Sequence, residues 1–300
     1  MSGSRHDGAP RTFRGRSTVV RYNPVVTADG VRWRDYELAA EAHTGEWRPA
    51  PVATHDSGTW HAMPAHDSGT WHATPAREEV LAAEAPPPPW PGPVEDWFDM
   101  PGRPPRLDTC RPYGTPGGLA WPDPQLQRDL CQVLPPGARF PDPRGAWIRL
   151  VNGEGPGEDP FRATNALDCA LAVISTWHGE PMVAAPRLPE YDRLGRPSLT
   201  GEAGGVARAE RWLGHRFEYV GQGRRAYTAI AQRLRTGGHG ASAVLVTRWP
   251  SGGAHAWNAV NSAGAVVWVD AQRGHTSVDA PRGPVTGVFC VVTDRRGRRL

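Results

Sequence analysis

The stretch GGAHAWNAVNSAGAVVWVDAQRG, residues 252–274, decides the fold of this chain. It contains two runs rich in Val, Trp and Ala, HAWNAV and AVVWVD, on either side of the small and polar residues 261–264. This composition is typical of two β-strands joined by a tight turn. We therefore predict a β-hairpin that forms part of an antiparallel sheet.

The predicted hairpin brings a histidine and an aspartate together. If the loop has an even length and is centred between residues 262 and 263, His255 lies directly opposite Asp270. Directly opposed residues have Cβ atoms about 4.5–5.5 Å apart, so the carboxylate can accept a hydrogen bond from the imidazole. A three-residue loop with a bulge at Gly264 would instead shift the register by one residue and place Asp270 on the other face. The even loop predicts an oriented histidine, which is part of a nucleophilic triad.

A cysteine-bearing helix supplies the candidate nucleophile. The sequence RATNALDCALAVISTW places the N-cap candidates Thr164, Asn165 and Asp168 just before Cys169 and continues with the apolar run 170–177. We predict a buried helix over 168–177. A cysteine in the first turn of a helix feels the positive end of the helix dipole, which lowers the thiol pKa. We therefore expect Cys169 to be the reactive one of the four cysteines.

Seven pieces of the segment from about residue 111 to residue 289 carry a family resemblance. They are RPYGTPGGL, DPRGAWIRLVN, NALDCALAVISTW, APRLPE, GEAGGVARAERWLG, HAWNAV and VDAQRG. With these pieces the segment resembles the papain-fold toxin family of the glutamine deamidase type, which occurs as the C-terminal domain of bacterial polymorphic toxins. The resemblance implies an α+β, papain-like fold with the nucleophile helix packed on an antiparallel sheet.

The resemblance also implies a catalytic triad of Cys169, His255 and Asp270, with Gln272 in the DxQ element of the same motif. The implied reaction is hydrolysis of the side-chain amide of a glutamine in a target protein. Asn165 and Gln272 are the candidates for oxyanion stabilisation or substrate positioning, and we expect no cofactor and no metal. The chain departs from the family at Ala166, where family members often carry the first cysteine of an NCxxC pattern.

Two alternatives remain open from the sequence. A papain-like cysteine protease would use the same triad and differ only in its cleft. A non-catalytic interaction module with a degenerate papain fold would follow from the loss of the cysteine at position 166, with Cys169 as a small core residue.

Hydrophobic spacing predicts the remaining elements of the C-terminal region. Helices are predicted over 122–133, 205–213 and 225–235, and strands over 147–151, 241–247 and 289–294. The other histidines of this region have no comparable partner in the sequence and are expected at the surface or in loops; they are His178, His215, His239 and His275.

The N-terminal region has a different composition. Residues 12–36 predict a small β-hairpin, HDSGTWHA opens two tandem 11-residue repeats over 55–76, and APPPPWPGP over 85–93 predicts a stiff linker. Two copies are too few for a solenoid, so we interpret the duplication as part of a tolerant linker. We place the domain boundary after this linker, with residues 1–93 as the N-terminal region and residues 94–300 as the papain-like catalytic domain.

Charge and patterning limit the partners. The net charge of +3 over 300 residues excludes neither a protein nor a nucleic acid as partner. The family resemblance implies a protein substrate and a cognate immunity protein, and no nucleic acid. The basic opening MSGSRHDGAPRTFRGR is followed by no apolar segment, and no run approaches the length of a membrane span. We therefore expect synthesis in the bacterial cytoplasm without a signal peptide, export by a signal-independent route and action in the cytoplasm of a target cell.

Overall fold

The computed structural model describes residues 95–157, 159–250, 252–281 and 285–300. The predicted N-terminal hairpin, the tandem repeat and the linker lie outside the described residues. Two short 3-10 helices, Trp97–Asp99 and Leu107–Cys110, open the described part. The α-helices are α1 (Pro124–Val133), α2 (Trp147–Val151), α3 (Ala166–Trp177), α4 (Gly205–Leu213) and α5 (Gly223–Gly237). The strands are β1 (Glu218–Gly221), β2 (Ser242–Arg248), β3 (Ala254–Ser262), β4 (Ala265–Asp270), β5 (His275–Ser277) and β6 (Gly287–Thr293).

The strands form one antiparallel sheet of six strands in the order β1-β6-β2-β3-β4-β5. The predicted hairpin is confirmed as β3 and β4, which are adjacent in the sheet. The predicted strands at 241–247 and 289–294 are confirmed as β2 and β6, with small differences at their ends. The fold is α+β, with the cysteine-bearing helix packed on an antiparallel sheet, as expected from the sequence.

Helices cover both faces of the sheet. On one face, α3 packs against β3 and β2, and its apolar side chains are buried almost completely. Full burial of a side chain such as Leu171 or Ile174 contributes about 1.5–3 kcal/mol each to stability. On the other face, α5 contributes Tyr227, Ile230 and Leu234 to a second apolar cluster. Alternation of side chains along β3 and β4 serves both clusters.

The register of the hairpin differs from the predicted one. Ser262 pairs with Ala265 and Val260 pairs with Val267, whereas the prediction placed Val260 opposite Ala265. The loop is the two-residue turn Ala263 and Gly264, with φ of 51° and 92°. Positive φ at both positions is the geometry of the tight hairpin turn whose twist matches the strands. Because the shift amounts to two residues, every side chain keeps its predicted face.

The strand predicted over 147–151 is wrong, because these residues form the short helix α2. Trp147, Ile148 and Val151 are buried, a spacing that gives one helical face, and the Trp147 indole donates to the Asp142 carbonyl oxygen at 2.7 Å. A short apolar run fits a buried helix as well as a strand, so periodicity alone cannot distinguish them. The helices predicted near α1, α4 and α5 and the cysteine-bearing helix α3 are confirmed.

Candidate active site

His255 and Asp270 form the hydrogen bond that the sequence predicted, although they are diagonal rather than directly opposed. The distance from His255 Nε2 to Asp270 Oδ2 is 2.8 Å. His255 lies near the start of β3 and Asp270 is the last residue of β4. The imidazole is also stacked on the indole of Trp249, with ring centroids 5.9 Å apart and planes 15° apart. These two contacts fix the orientation of the ring.

The Asp270 carboxylate is held in its ionised form. Burial by itself would raise the pKa of Asp270, but the attraction and hydrogen bond from His255 and the charge of Arg273 outweigh it, so the net pKa is lowered. Arg273 donates to Asp270 twice, from Nη1 at 3.2 Å and from its backbone nitrogen at 3.3 Å. An ionised Asp270 stabilises the tautomer of His255 that carries its proton on Nε2.

Cys169 is more deeply buried than the sequence suggested. It is the fourth residue of α3 and only 1% exposed. Burial raises the thiol pKa well above its usual value, and the nearby negative charges of Asp168 and Asp270 raise it further. The predicted lowering of the Cys169 pKa by the helix dipole is therefore wrong, because desolvation of a thiolate inside the core exceeds the effect of the dipole. The resting thiol is neutral.

Asn165 connects the thiol to the hairpin. Its Oδ1 accepts from Cys169 Sγ at 3.3 Å and from Gln272 Nε2 at 3.3 Å. Its amide nitrogen donates to Asn152 Oδ1 at 2.9 Å and to the Ala185 carbonyl oxygen at 3.1 Å. Asn165 thus presents an acceptor to the sulfur, while the donor that an oxyanion site requires is directed elsewhere.

Asn152 is a site residue that the sequence reasoning missed. Its side-chain nitrogen donates to the backbone oxygen of Gln272 at 2.9 Å, and its Oδ1 accepts from Asn165. It is fully buried at the end of α2. Asn152 is the last residue of the quoted piece DPRGAWIRLVN, so the family resemblance pointed to it. Because residues 147–151 were predicted as a strand, the position of its side chain could not be inferred.

The site residues form two groups on opposite faces of the sheet. Ala254 and Ala256 pack in the cluster that contains Cys169, so the intervening His255 points to the opposite face. The turn after β4 joins the groups, since Ala271 packs in the Cys169 cluster and Gln272 contacts Asn165. Among the described residues, no hydrogen bond joins His255 to Cys169.

A buried charge cluster lies beside the thiol. Asp168 accepts from Arg111 Nε at 3.1 Å, from Arg208 Nη2 at 2.9 Å and from the Ala185 backbone nitrogen at 2.7 Å. Glu202 also binds Arg208, through Nε and Nη2. Burial alone would raise the pKa of Asp168, but the two arginines lower it, so this residue is a buried anion rather than the N-cap that the sequence suggested. The buried arginines were not predicted, because arginine is expected at the surface.

The other four histidines differ in burial, although all were expected at the surface or in loops. His178 is buried, and its Nδ1 lies 2.8 Å from Asp96 Oδ2, so the expectation of a surface histidine is wrong. His215 and His239 are partly buried, and His275 is exposed on β5, as expected. The partner of His178 is 82 positions away in the chain, beyond the reach of local patterns.

Two further properties concern cofactors and membranes. Within the described ranges, no group of three or more His, Cys, Asp or Glu side chains is arranged to hold a metal ion. None of the helices in the described part of the chain combines the length and the apolar character needed to cross a bilayer.

The helix α3 packed on an antiparallel sheet, with a His-Asp pair on the adjoining hairpin, defines a papain-like domain. Residues 164–275, from the start of the cysteine helix to β5, match the family described as papain fold toxin 1, glutamine deamidase. This match confirms the resemblance noted from the sequence. Searches of curated proteins and of solved structures found no match.

Proposed function

We propose that this chain is a toxin or effector that hydrolyses the side-chain amide of a glutamine in a target protein. Cys169 is the nucleophile, His255 is the general base and acid, and Asp270 orients His255. The family match over residues 164–275 supports the general activity. The role proposed for His255 is supported by its hydrogen bond to Asp270, and the role proposed for Cys169 by its position at the start of α3 beside Asn165.

The observation that carries the proposal is the shared acceptor at Asn165. The thiol of Cys169 and the primary carboxamide of Gln272 both donate to Asn165 Oδ1, each at 3.3 Å. A glutamine carboxamide therefore already lies beside the candidate nucleophile. A substrate glutamine has the same functional group, and in the position of Gln272 it would place its NH₂ group on the same oxygen.

The proposed reaction is an acyl transfer in two stages. Cys169 loses its proton to His255 Nδ1, because Nε2 is bound to Asp270, and the sulfur forms a bond to Cδ of the substrate glutamine. The imidazolium then protonates the departing nitrogen as the C–N bond breaks, which releases ammonia and leaves a thioester. Water activated by the same imidazole hydrolyses the thioester, so that the products are glutamate and the free thiol.

The proposal requires a rearrangement from the resting structure. The thiol is neutral and buried, and His255 lies on the other face of the sheet. Substrate binding must displace the carboxamide of Gln272 and bring the imidazole within hydrogen-bonding distance of the sulfur. A neutral thiol then loses its proton to the base as it attacks, rather than existing beforehand as a thiolate.

The decisive experiment compares Cys169→Ser with the matched control Cys131→Ser, which alters a half-buried thiol on α1. Each variant and the wild-type chain are expressed in bacterial and yeast cytosol, and the host proteome is examined by mass spectrometry. We expect glutamine-to-glutamate conversion with the wild type and Cys131→Ser, and none with Cys169→Ser. Cleaved host proteins without conversion would indicate a protease, and equal conversion by both variants would refute Cys169 as nucleophile.

A second candidate is a non-catalytic binding module. Two observations favour it: the thiol is sealed in the core, and Ala166 occupies the first position of α3, where the side chain is more exposed than Cys169. A module of this kind would keep its effect on cells in Cys169→Ser and leave host glutamines unchanged. The same expression experiment therefore separates the two functions.

Partners and location follow from the proposed activity. The substrate is a protein with an accessible glutamine, and a cognate immunity protein would protect the producing cell. We propose that the chain leaves that cell by a signal-independent route and acts in the cytoplasm of a target cell. Co-expression of the gene adjacent to the coding sequence tests the immunity protein, since it should restore growth without changing the amount of toxin.

A further inference from the structure

A cavity of about 300 Å³ lies on the side of the domain where the 3-10 helix Leu107–Cys110 meets α4. Thr109, Cys110 and Arg111 line it from one side, and Ala207 and Arg208 line it from α4. None of the residues assigned above to the catalytic triad lines this cavity. Its volume is at the lower end of the range for small-molecule sites.

The sequence of α4 creates the opening. The lining positions 204, 207, 208 and 211 recur at helical spacing, so they share one face. The first two are Gly204, which has no side chain, and Ala207, which has only a methyl group, so both leave space; the other two are Arg208 and Arg211. This face therefore combines free volume with two guanidinium groups.

Arg208 has a donor that the protein does not satisfy. The side chain is buried, and its Nε and Nη2 are bound to Glu202 and Asp168. Its Nη1 is buried and has no hydrogen-bond partner. Buried polar groups are nearly always paired, so the unpaired nitrogen of this arginine, whose residue lines the cavity, indicates a missing acceptor.

Other features of the cavity also favour an anion. Arg211 is exposed and has no ion-pair partner among the described residues, so the three lining arginines face only two buried carboxylates, those of Asp168 and Glu202. The N-cap of α4 is Gly204, which offers no side chain to the first backbone N–H groups. The positive end of the helix dipole therefore adds to the excess positive charge.

We propose that this cavity is a binding site for an oxyanion, specifically a phosphate group that is either free or carried on a small molecule. Arg208 Nη1 and the guanidinium of Arg211 donate to the phosphate oxygens, and the uncapped start of α4 contributes backbone N–H groups. Arginine suits this role, because its planar array of donors matches phosphate geometry. Arg208 also binds Asp168, the residue before Cys169, so the cavity lies next to the nucleophile helix.

Binding is tested on the full chain with Cys169→Ser, so that the result is independent of catalysis. Inorganic phosphate and O-phosphoserine are titrated by calorimetry and by thermal melting, with sodium chloride at matched ionic strength as the reference. We expect a saturable increase in melting temperature with phosphate that chloride does not reproduce. Tighter binding of inorganic phosphate would indicate that the site takes free phosphate. Tighter binding of O-phosphoserine would indicate that it takes a phosphate group carried on a small molecule. No phosphate effect beyond that of chloride would overturn the proposal.

Variants locate the site. Arg211→Gln should weaken phosphate binding roughly tenfold or more, since it removes a charged donor. Arg225→Gln, on the exposed side of α5, is the matched control and should change the dissociation constant by less than about twofold. Ala207→Glu places a carboxylate in the cavity and should abolish the phosphate response while the protein remains folded by circular dichroism. Equal weakening by Arg211→Gln and Arg225→Gln, or a full response in Ala207→Glu, would refute the assignment.

Discussion

The charge cluster around Asp168 allows a quantitative prediction. Asp168 is fully buried and is the common anion for Arg111 and Arg208. In Asp168→Asn, the shape and one carbonyl oxygen remain, but the charge that balances two buried guanidinium groups is lost. Removing one partner of a buried ion pair costs about 3–5 kcal/mol, because the other charge remains without compensation. Arg208 keeps Glu202, so Arg111 bears most of this loss.

The expected change in melting temperature is large. For a domain of about 200 residues, 1 kcal/mol shifts the midpoint by about 2–4 °C, so Asp168→Asn should melt about 6–20 °C lower. Thermal and urea unfolding of the full chain, followed by circular dichroism, measures the effect. Asp192→Asn is the matched control, because this carboxylate is bound to Arg196 at the exposed surface. If both variants have the melting temperature of the wild type, the charge of Asp168 does not stabilise the fold and this prediction is refuted.

The remaining predictions concern the site itself. Asp270→Asn should lower the deamidation rate by up to about 10⁴-fold with little effect on KM, because His255 loses its orienting anion. The rate is measured by ammonia release, and an unchanged rate would exclude Asp270 from the catalytic triad. Since the folded pKa of Asp270 is lowered, its contribution to stability is fully present above the unfolded value of about 3.9 and is lost as the pH falls through the folded value. Urea unfolding of wild type and Asp270→Asn should therefore differ at neutral pH and converge in acid; a constant difference would contradict the lowered pKa. At mildly alkaline pH, iodoacetamide should alkylate Cys131 well before Cys169, as peptide mass spectrometry will show, and preferential alkylation of Cys169 would contradict its raised pKa. Gln272→Ala should increase the alkylation rate of Cys169, because it removes the carboxamide beside the sulfur, and an unchanged rate would show that Gln272 does not restrict access.

The hairpin could be predicted because two runs rich in Val, Trp and Ala flank a short segment of small and polar residues. Val, Trp and Ala fill both faces of β3 and β4, and this pattern identified the strands and the pairing of His255 with Asp270. The register was displaced by two residues because Ala263 accepts a positive φ, which is uncommon for a residue other than glycine. The error left the face of His255 unchanged, so the hydrogen bond survived it.

The environment of the thiol could not be predicted, because it depends on distant parts of the chain. The sequence showed Cys169 at the start of a helix, but its pKa is governed by burial in a core cluster that also contains residues from β3, α2 and the turn after β4. The same limit applies to Asp168, whose cationic partners lie 57 and 40 positions away. Local patterns identify the elements, whereas long-range packing sets their electrostatics.

The firm attachment of α3 determines how a ligand reaches the sulfur. Asp168 ties the beginning of this helix to two arginines, and the Asn258 side chain holds the carbonyl oxygen of Ala170 at 3.1 Å, so the first turn cannot unwind without breaking a buried ionic cluster. The turn after β4 is attached there more weakly, through the two contacts of Gln272 with Asn152 and Asn165. The proposed nucleophile is therefore held in place, whereas the turn after β4 can be displaced. A substrate side chain would reach the sulfur by displacing this turn.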